Sequence, residues 1–278
     1  MNRVIVLDWG VFLHTAIFAS KFNPQIPSTF TCLNMILSAL RHIGIEPDDT
    51  VIVAVDFLRS WRREFEDSYK ANRAQMREDS GINFKEHYER FNELLDTLEA
   101  ATSWHFIKIP HLEADDIMAV CCRYFKDKEV ILVTFDSDLE QCWEYPNVKI
   151  FSPRKKAYKV KPKNFNVYKE IAKKIEVEKT DNLTAKVTNQ TDYEVREMCV
   201  RLISLPEWVE KAVLEKLQNL QEKPEYLDMI PFNSIRAKWG NLYNDKSMVV
   251  TYEDCISKEE KKKIKKLKKK EALDGIKK

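Results

Sequence analysis

Four apolar runs mark the first half of the chain: Val4-Ile5-Val6-Leu7, Val51-Ile52-Val53-Ala54-Val55, Trp104 to Ile109, and Val130-Ile131-Leu132-Val133. Each is too short for a helix and continuous rather than alternating, as expected of strands buried on both faces. Helix-like stretches at about 27–43, 85–101 and 114–126 separate them. Strands alternating with helices predict an α/β fold, a mainly parallel central sheet flanked by helices. A further short strand pair is expected at 148–151 and 157–160, joined by Ser152-Pro153-Arg154-Lys155-Lys156.

From about residue 162 the pattern turns wholly helical, with candidates at 164–175, 192–204, 206–220 and 231–245. Pro206 and the stretch from Asp228 to Ser234 punctuate them. The chain thus divides into an α/β domain over 1–161, a smaller C-terminal helical region over 162–250, and a lysine-rich tail over 251–278. Residues 257–270 have helical potential, but a charge block of this kind is expected to be solvated and frayed.

Composition narrows the chemistry. Only five of 278 residues are glycine, and none lies between Gly81 and Gly240. A Walker A loop, a dinucleotide fingerprint and a nucleophile elbow all need closely spaced glycines, so a glycine cradle for phosphate is excluded. The net charge of +2 conceals an asymmetry: residues 258–278 carry eleven lysines against four acids, so +7 sits there and −5 on the remainder. The six cysteines form no C-x-x-C pair and read as small core residues, and the N-terminus shows no signal-like pattern. A reducing cytoplasm is therefore expected. No apolar run approaches the roughly 20 residues of a membrane span. The five histidines lack ligand spacing and read as structural or surface residues.

Three of the four buried runs lead directly into acid: Leu7-Asp8, Val55-Asp56, and Val133-Thr134-Phe135-Asp136-Ser137-Asp138. The remaining run, ending near Ile109, reaches Glu113-Ala114-Asp115-Asp116 within four residues. In a parallel sheet the carboxyl ends of the strands share one edge, so these acids converge. Such a cluster repels itself and calls for a counter-charge. Hard oxygen ligands suit Mg²⁺, with Mn²⁺ as a substitute. Two such ions about 3.5–4 Å apart activate a water and stabilise the leaving oxygen of a phosphodiester. Any one of these acids alone, Asp116 above all, also fits a helix N-cap. A phosphoaspartate hydrolase wants a second acid two residues after its nucleophile, where Asp8-Trp9-Gly10 offers glycine.

After Asp56 come Arg59, Arg62, Arg63, Tyr69, Lys70, Arg73 and Arg77. Beside an acidic metal crevice, these cations suit a phosphate chain passing overhead, with Tyr69 available to stack a base. A solvated amphipathic helix with Trp61 and Phe65 facing the core is the competing reading, equally weighted for Arg62 and Arg63.

Taken in order after Asp8 and Asp56, the motifs Tyr69-Lys70-Ala71-Asn72-Arg73, Glu113-Ala114-Asp115-Asp116 and Thr134-Phe135-Asp136-Ser137-Asp138-Leu139 resemble the 5′-nuclease family of flap endonucleases and polymerase-associated 5′→3′ exonucleases. The likeness extends through Phe151-Ser152-Pro153 to Lys179-Thr180-Asp181-Asn182, covering most of residues 1–183, and is strongest to bacteriophage members. It implies a PIN-like fold and a metal-dependent 5′→3′ exonuclease or flap endonuclease. Such an enzyme acts on DNA, and on RNA primers in RNA–DNA hybrids, during replication or repair. The resemblance assigns a first metal site to Asp8, Asp56, Glu113, Asp115 and Asp136. It assigns a second to Asp138 and Asp181 with Asp115 or Asp116 nearby, and Glu178 stands where the family often has an acid. Lys70 and Arg73, with Tyr69, would form the base of a helical arch within residues 57–90 and contact the scissile phosphate. A monomer acting in the cytoplasm, the host's for a phage-encoded chain, is the corresponding expectation.

The family's helix-hairpin-helix binds duplex backbone through a glycine-containing turn. Residues 181–190 here have no glycine, which puts that grip in doubt. Arg154, Lys155, Lys156, Lys159, Lys161 and Lys163 form a basic strip that would supply part of it. The lysine-rich tail reads either as non-specific, salt-sensitive affinity for nucleic acid or as a solubilising or partner-binding end, with a single-strand binding protein or sliding clamp as the candidate partner. Two rivals stay open: a non-catalytic nucleic-acid-binding protein on the same fold, and a PIN-type single-strand ribonuclease.

Overall fold

A computed structural model describes residues 3–176, 181–183 and 185–275. Among these, six strands form one sheet: β1 (Val4–Asp8), β2 (Thr50–Val55), β3 (His105–Lys108), β4 (Val130–Val133), β5 (Val148–Ser152) and β6 (Ala157–Tyr158). Their order is β3-β2-β1-β4-β5-β6. The first five are parallel and β6 turns back antiparallel on β5. The fold is therefore the expected class, a mainly parallel sheet flanked by helices with a helical C-terminal region. Strand order reverses at β1, which lies between β2 and β4, and the crevice for a ligand opens there at the carboxyl edge. Every residue of β1 and β4 is buried, which accounts for their unbroken apolar runs.

One face of the sheet is covered by α1 (Trp9–Ser20), α2 (Ser28–Ile43) and α4 (Phe84–Ala101). The helix α1 was not expected, because apolar residues run from β1 into it without a break. Its start is set by Asp8, whose side chain accepts from the backbone amide of Val11 at 3.2 Å and so caps the helix. At the other end of this layer α2 stops at Gly44, whose φ of +72° lets its amide reach back to the carbonyls of Leu40 and Arg41. Between β2 and α4 the chain makes a 3₁₀ turn at Trp61–Glu64 and a short helix, α3 (Arg73–Asp79), none of whose residues is buried. The opposite face carries α5 (Ala114–Tyr124).

The helices after residue 162 share their cores with this body. α6 (Val167–Glu176) and α7 (Gln190–Val200) bury Ile171, Ile175 and Val200 together with Tyr69 and Leu183. α8 (Glu207–Gln218) inserts Val209, Val213 and Leu217 into the core on the α5 face. On the other face α9 (Asn233–Gly240) stacks Trp239 on Trp104, ring centroids 4.6 Å apart. All six cysteines are buried and unpaired, as expected of core residues. No helix among the described residues is long and apolar enough to cross a membrane.

The lysine block departs from expectation. It belongs to a continuous helix, α10 (Tyr252–Gly275), rather than a frayed tail. Its first turn is anchored: Thr251 and Asp254 cap one another, Cys255 is buried, and the Tyr252 ring packs edge-on against Tyr158 at 6.0 Å. Nucleation is the costly step of helix formation, so an anchored first turn lets the lysines, good helix formers individually, propagate it.

If α9 is integral to the sheet's core, Trp239→Ala should cost about 3–5 kcal/mol in urea unfolding through one cooperative transition. A loss below about 1 kcal/mol would show that α9 is only loosely attached.

Candidate functional site

The carboxyl edge collects acids from four places. Asp8 ends β1; its Oδ2 accepts from the Thr134 hydroxyl at 2.9 Å, while its Oδ1 caps α1. Asp56 follows β2 and accepts from the Ala114 amide at 2.7 Å, so an acid from β2 caps α5. Asp115 stands in the first turn of α5, and Asp136 follows β4 with its Oδ1 accepting from the Asp138 amide at 2.9 Å. Gly10 sits between the first two: a Cβ there would lie 3.1 Å from Asp56 Oδ2 and 3.4 Å from Asp8 Oδ1. The glycine that argued against a phosphoaspartate enzyme is thus the residue that lets these two carboxylates share the floor.

The acids divide into two sets. Glu113, Asp116, Asp138 and Asp181 each hold a protein cation: Lys70 and Arg62 on Glu113, Arg62 on Asp116, Lys174 on Asp138, and Arg73 on Asp181 at 3.0 Å. Among the described residues no salt bridge reaches Asp8, Asp56, Asp115 or Asp136. Protonation equilibria respond to burial and to neighbouring charge. Burial, with Asp56 and Asp136 adding repulsion, pushes the Asp8 carboxyl up to about 7. Burial and then Asp136 and Asp8 hold Asp115 well above the usual carboxylate range. Asp56 opens into the cleft but is crowded by protein, which with Glu113 raises it too. For Asp138, burial and Asp136 outweigh Lys174 and leave it at about 6. Glu113 is the opposite case: burial pushes it up, but Lys70 and Arg62 prevail and bring it down to about 2.

Beside the acids lies a cleft of about 600 Å³ whose wall carries Arg59, Arg63, Lys70, Arg73, Arg77 and Lys108. Asp56 and Glu113 contribute to its lining, as do Trp9, His14 and Tyr88. A smaller hollow of about 180 Å³, lined by Asp8, Asp56, Asp115 and Asp136, shares Gly10, His14, Lys70 and Arg73 with it. Cations and unpaired carboxylates therefore line adjoining spaces. Lys70 is held there by an unusual backbone. Its φ is +53°, and its amide donates to the Asp181 carbonyl at 2.8 Å, so the loop after α6 fixes where the segment between β2 and α4 turns.

Several expected roles are corrected by burial. Asp116 is fully buried and faces away from the cleft; it accepts two bonds from the Arg62 guanidinium, at 3.1 and 2.7 Å, and one from the Trp61 indole at 3.1 Å. Arg62, 2% exposed, also binds Glu113 and the Cys199 carbonyl, so its donors are spent inside the protein and nucleic acid cannot reach it. Tyr69 is 2% exposed and donates its hydroxyl to Glu113 at 2.9 Å, which leaves no face for a base to stack on. Phe65 lies about half exposed rather than in the core, in edge contact with Trp61. In the basic strip, Lys159 and Lys161 donate to backbone carbonyls, whereas Arg154, Lys155 and Lys156 are exposed at the β5–β6 turn. Glu178 lies outside the described residues.

Other residues of the site were not anticipated. Ser60 donates to Glu113 at 3.0 Å, and Thr134 bridges Asp8 and the Asp136 amide. His14 lines both spaces between Phe84 and Tyr88; burial, then Arg73 and Arg77, lower it to about 4, so it is neutral near pH 7. Thr134 sits inside an acidic motif and was readable as a hydroxyl beside carboxylates. His14 was not, because nothing in its spacing relates it to residues 57–90.

The carboxylates are the hard oxygen donors that Mg²⁺ or Mn²⁺ takes, and the set without protein cations lacks the positive charge such an ion brings. Among the described residues no three acidic, histidine or cysteine side chains already stand at coordination spacing. The fit is therefore one of donor chemistry and charge.

The chain matches the model of the 5′-3′ exonuclease N-terminal, resolvase-like domain over residues 3–176. It is 34% identical to ribonuclease H of Enterobacteria phage T4 over 116 residues, which is 40% of this chain and 38% of that protein. Its fold resembles the T5 5′-exonuclease with divalent zinc bound, at a TM-score of 0.52 and 17% identity, covering 87% of this chain and 98% of that one. It also resembles the bacteriophage T5 flap endonuclease in a pseudo-enzyme-product complex with DNA and metal ions, at 0.53 and 16% over the same shares. At these identities the solved structures establish a common fold.

Removing Arg62 would strand Asp116 as an uncompensated buried charge. Arg62→Ala is therefore expected to lower unfolding stability by about 3–5 kcal/mol, with Arg62→Met similar because Asp116 still loses its partner. Urea denaturation checks this, and a change within about 0.5 kcal/mol would contradict the clamp.

Proposed function

This chain belongs to the 5′-3′ exonuclease family, and on that footing we propose that it is a divalent-metal-dependent 5′→3′ nuclease. Its substrates are DNA carrying 5′ ends or flaps and RNA primers in RNA–DNA hybrids, and its setting is replication or repair. The observation that carries the reading is the set of four carboxylates without protein cations, Asp8, Asp56, Asp115 and Asp136, in a hollow that adjoins a cleft walled by arginines and lysines. A protein that only bound nucleic acid would gain nothing from negative charge packed against phosphate.

In this reading Asp8, Asp56, Asp115 and Asp136 hold one Mg²⁺, for which Mn²⁺ substitutes, and Asp138 and Asp181 hold a second. When bound, such ions neutralise phosphate oxygens and raise the acidity of water. The chain's own groups do the positioning. Thr134 and the Val11 amide fix both oxygens of Asp8. Glu113, held ionised by Lys70 and Arg62, keeps the Lys70 ammonium at the cleft floor, where Lys70 and Arg73 take the charge developing on the phosphoryl oxygens. Arg59, Arg63, Arg77 and Lys108 align the phosphate chain along the wall. Water attacks phosphorus in line and the bond to the 3′ oxygen breaks, leaving a 5′-phosphate and a 3′-hydroxyl. No side-chain nucleophile takes part. The exposed Arg154, Lys155 and Lys156 lie beyond the sheet edge and supply duplex contact in place of a glycine-containing turn.

The test is a panel of 5′-flap, nicked, single-stranded and RNA–DNA hybrid substrates, each with Mg²⁺ and with chelator. Cleavage should need the metal, and Asp136→Asn or Lys70→Ala should lower the rate by at least about 10²-fold. Full activity in chelator, or in Asp136→Asn, would contradict the mechanism. Activity confined to single-stranded RNA would point to a PIN-type ribonuclease instead.

A further inference from the structure

The acidic loop between β4 and the 3₁₀ turn at Asp138–Glu144 belongs to no regular element, so its backbone must find partners elsewhere. From inside, Thr134 accepts from the Asp136 amide at 3.0 Å while donating to Asp8. From outside, a single lysine closes it. Lys159 Nζ donates to the Phe135 carbonyl at 3.2 Å, to the Asp136 carbonyl at 2.8 Å and to Glu140 Oε1 at 3.0 Å. An ammonium has three donors and no acceptor, so this one is saturated by the loop. Its side chain is only 14% exposed, and its own amide donates to the Ile150 carbonyl at 2.8 Å, so the stem springs from a fixed point beside β5.

We propose that Lys159 is a positioning residue: by clamping the carbonyls of Phe135 and Asp136 it holds the Asp136–Asp138 backbone in the one arrangement that presents both carboxylates to divalent ions. The inference rests on the metal-site reading above and adds a residue to it that touches neither metal nor substrate. Sequence alone places Lys159 among phosphate-binding lysines; saturation of its donors removes it from that group. Lys161, two residues on, is the natural control, since it donates to the Trp143 carbonyl at the far end of the 3₁₀ turn and to nothing in the acidic loop.

The experiment is Mn²⁺ binding to the full chain, read from the loss of the free-ion electron paramagnetic resonance signal, alongside the thermal midpoint. Outer partners of metal ligands typically change affinity by about 10–100-fold. Lys159→Met should weaken Mn²⁺ binding by that factor, Lys159→Arg should recover most of it, and Lys161→Met should leave it unchanged even where its midpoint falls as far. Should Lys159→Met not fold, Glu140→Gln, which loosens the third anchor, should weaken binding in the same direction by a smaller factor. Parent protein that binds no Mn²⁺ would overturn the metal-site reading and this proposal with it. Parent protein that binds while Lys159→Met, or the Glu140→Gln substitute, binds equally well would overturn this proposal alone.

Discussion

Like charges crowded at the end of a parallel sheet are the constraint on which the rest of this molecule depends. Topology brings Asp8, Asp56, Asp115 and Asp136 together, because β1 lies between β2 and β4, each of these strands delivers its acid to the same edge, and α5 sets Asp115 beside them. Burial and mutual repulsion raise Asp8 and Asp115 far from ordinary carboxylates. A fold that only needed helix caps would have no reason to crowd carboxylates at this edge. In the proposed reading a divalent cation supplies the positive charge that offsets this repulsion.

The protein isolates this set by satisfying the other acids internally. Arg62 is the central device: one guanidinium, buried beneath the cleft, binds Asp116 with a two-pronged fork and Glu113 with a third bond. That leaves Glu113 ionised and committed to Lys70, so the lysine's ammonium stays at the cleft floor rather than turning toward Asp8 or Asp56. Asp181 does the same for Arg73 while its backbone carbonyl anchors Lys70. Paired acids therefore fix Lys70 and Arg73 beside the unpaired acids. A phosphodiester entering the cleft meets cations already aimed by carboxylates that cannot themselves repel it strongly.

Much of this was legible in the chain, for identifiable reasons. Strands buried on both faces have no polar positions to interrupt them, so Val4–Leu7 and Val130–Val133 announced themselves, and the acids that follow them fell on one edge by topology alone. The helix α1 was hidden because it too is apolar, and only the Asp8 cap separates it from β1. Asp115 and Asp116 look alike in sequence, yet successive helical residues point about 100° apart, so one faces the cleft and the other the buried Arg62. Arg62, Tyr69 and Lys159 were misjudged for a shared reason. Their side chains are consumed by partners far away in the chain, at Cys199, Glu113 and Phe135, and no local pattern encodes such pairings. The lysine-rich helix was misjudged because what holds it is a packed first turn at Tyr252 and Cys255, not the charge pattern that follows.

The central claim is that the four acids left without protein cations hold the first divalent ion. The most direct measurement is anomalous diffraction from crystals equilibrated with Mn²⁺, which locates the ion independently of any activity. Strong anomalous density among Asp8, Asp56, Asp115 and Asp136, with Glu113 still on Lys70 and Asp116 still on Arg62, is the result this account predicts. Mn²⁺ absent from that cluster at saturating concentration, or bound instead by Glu113 and Asp116 with Arg62 displaced, would contradict it.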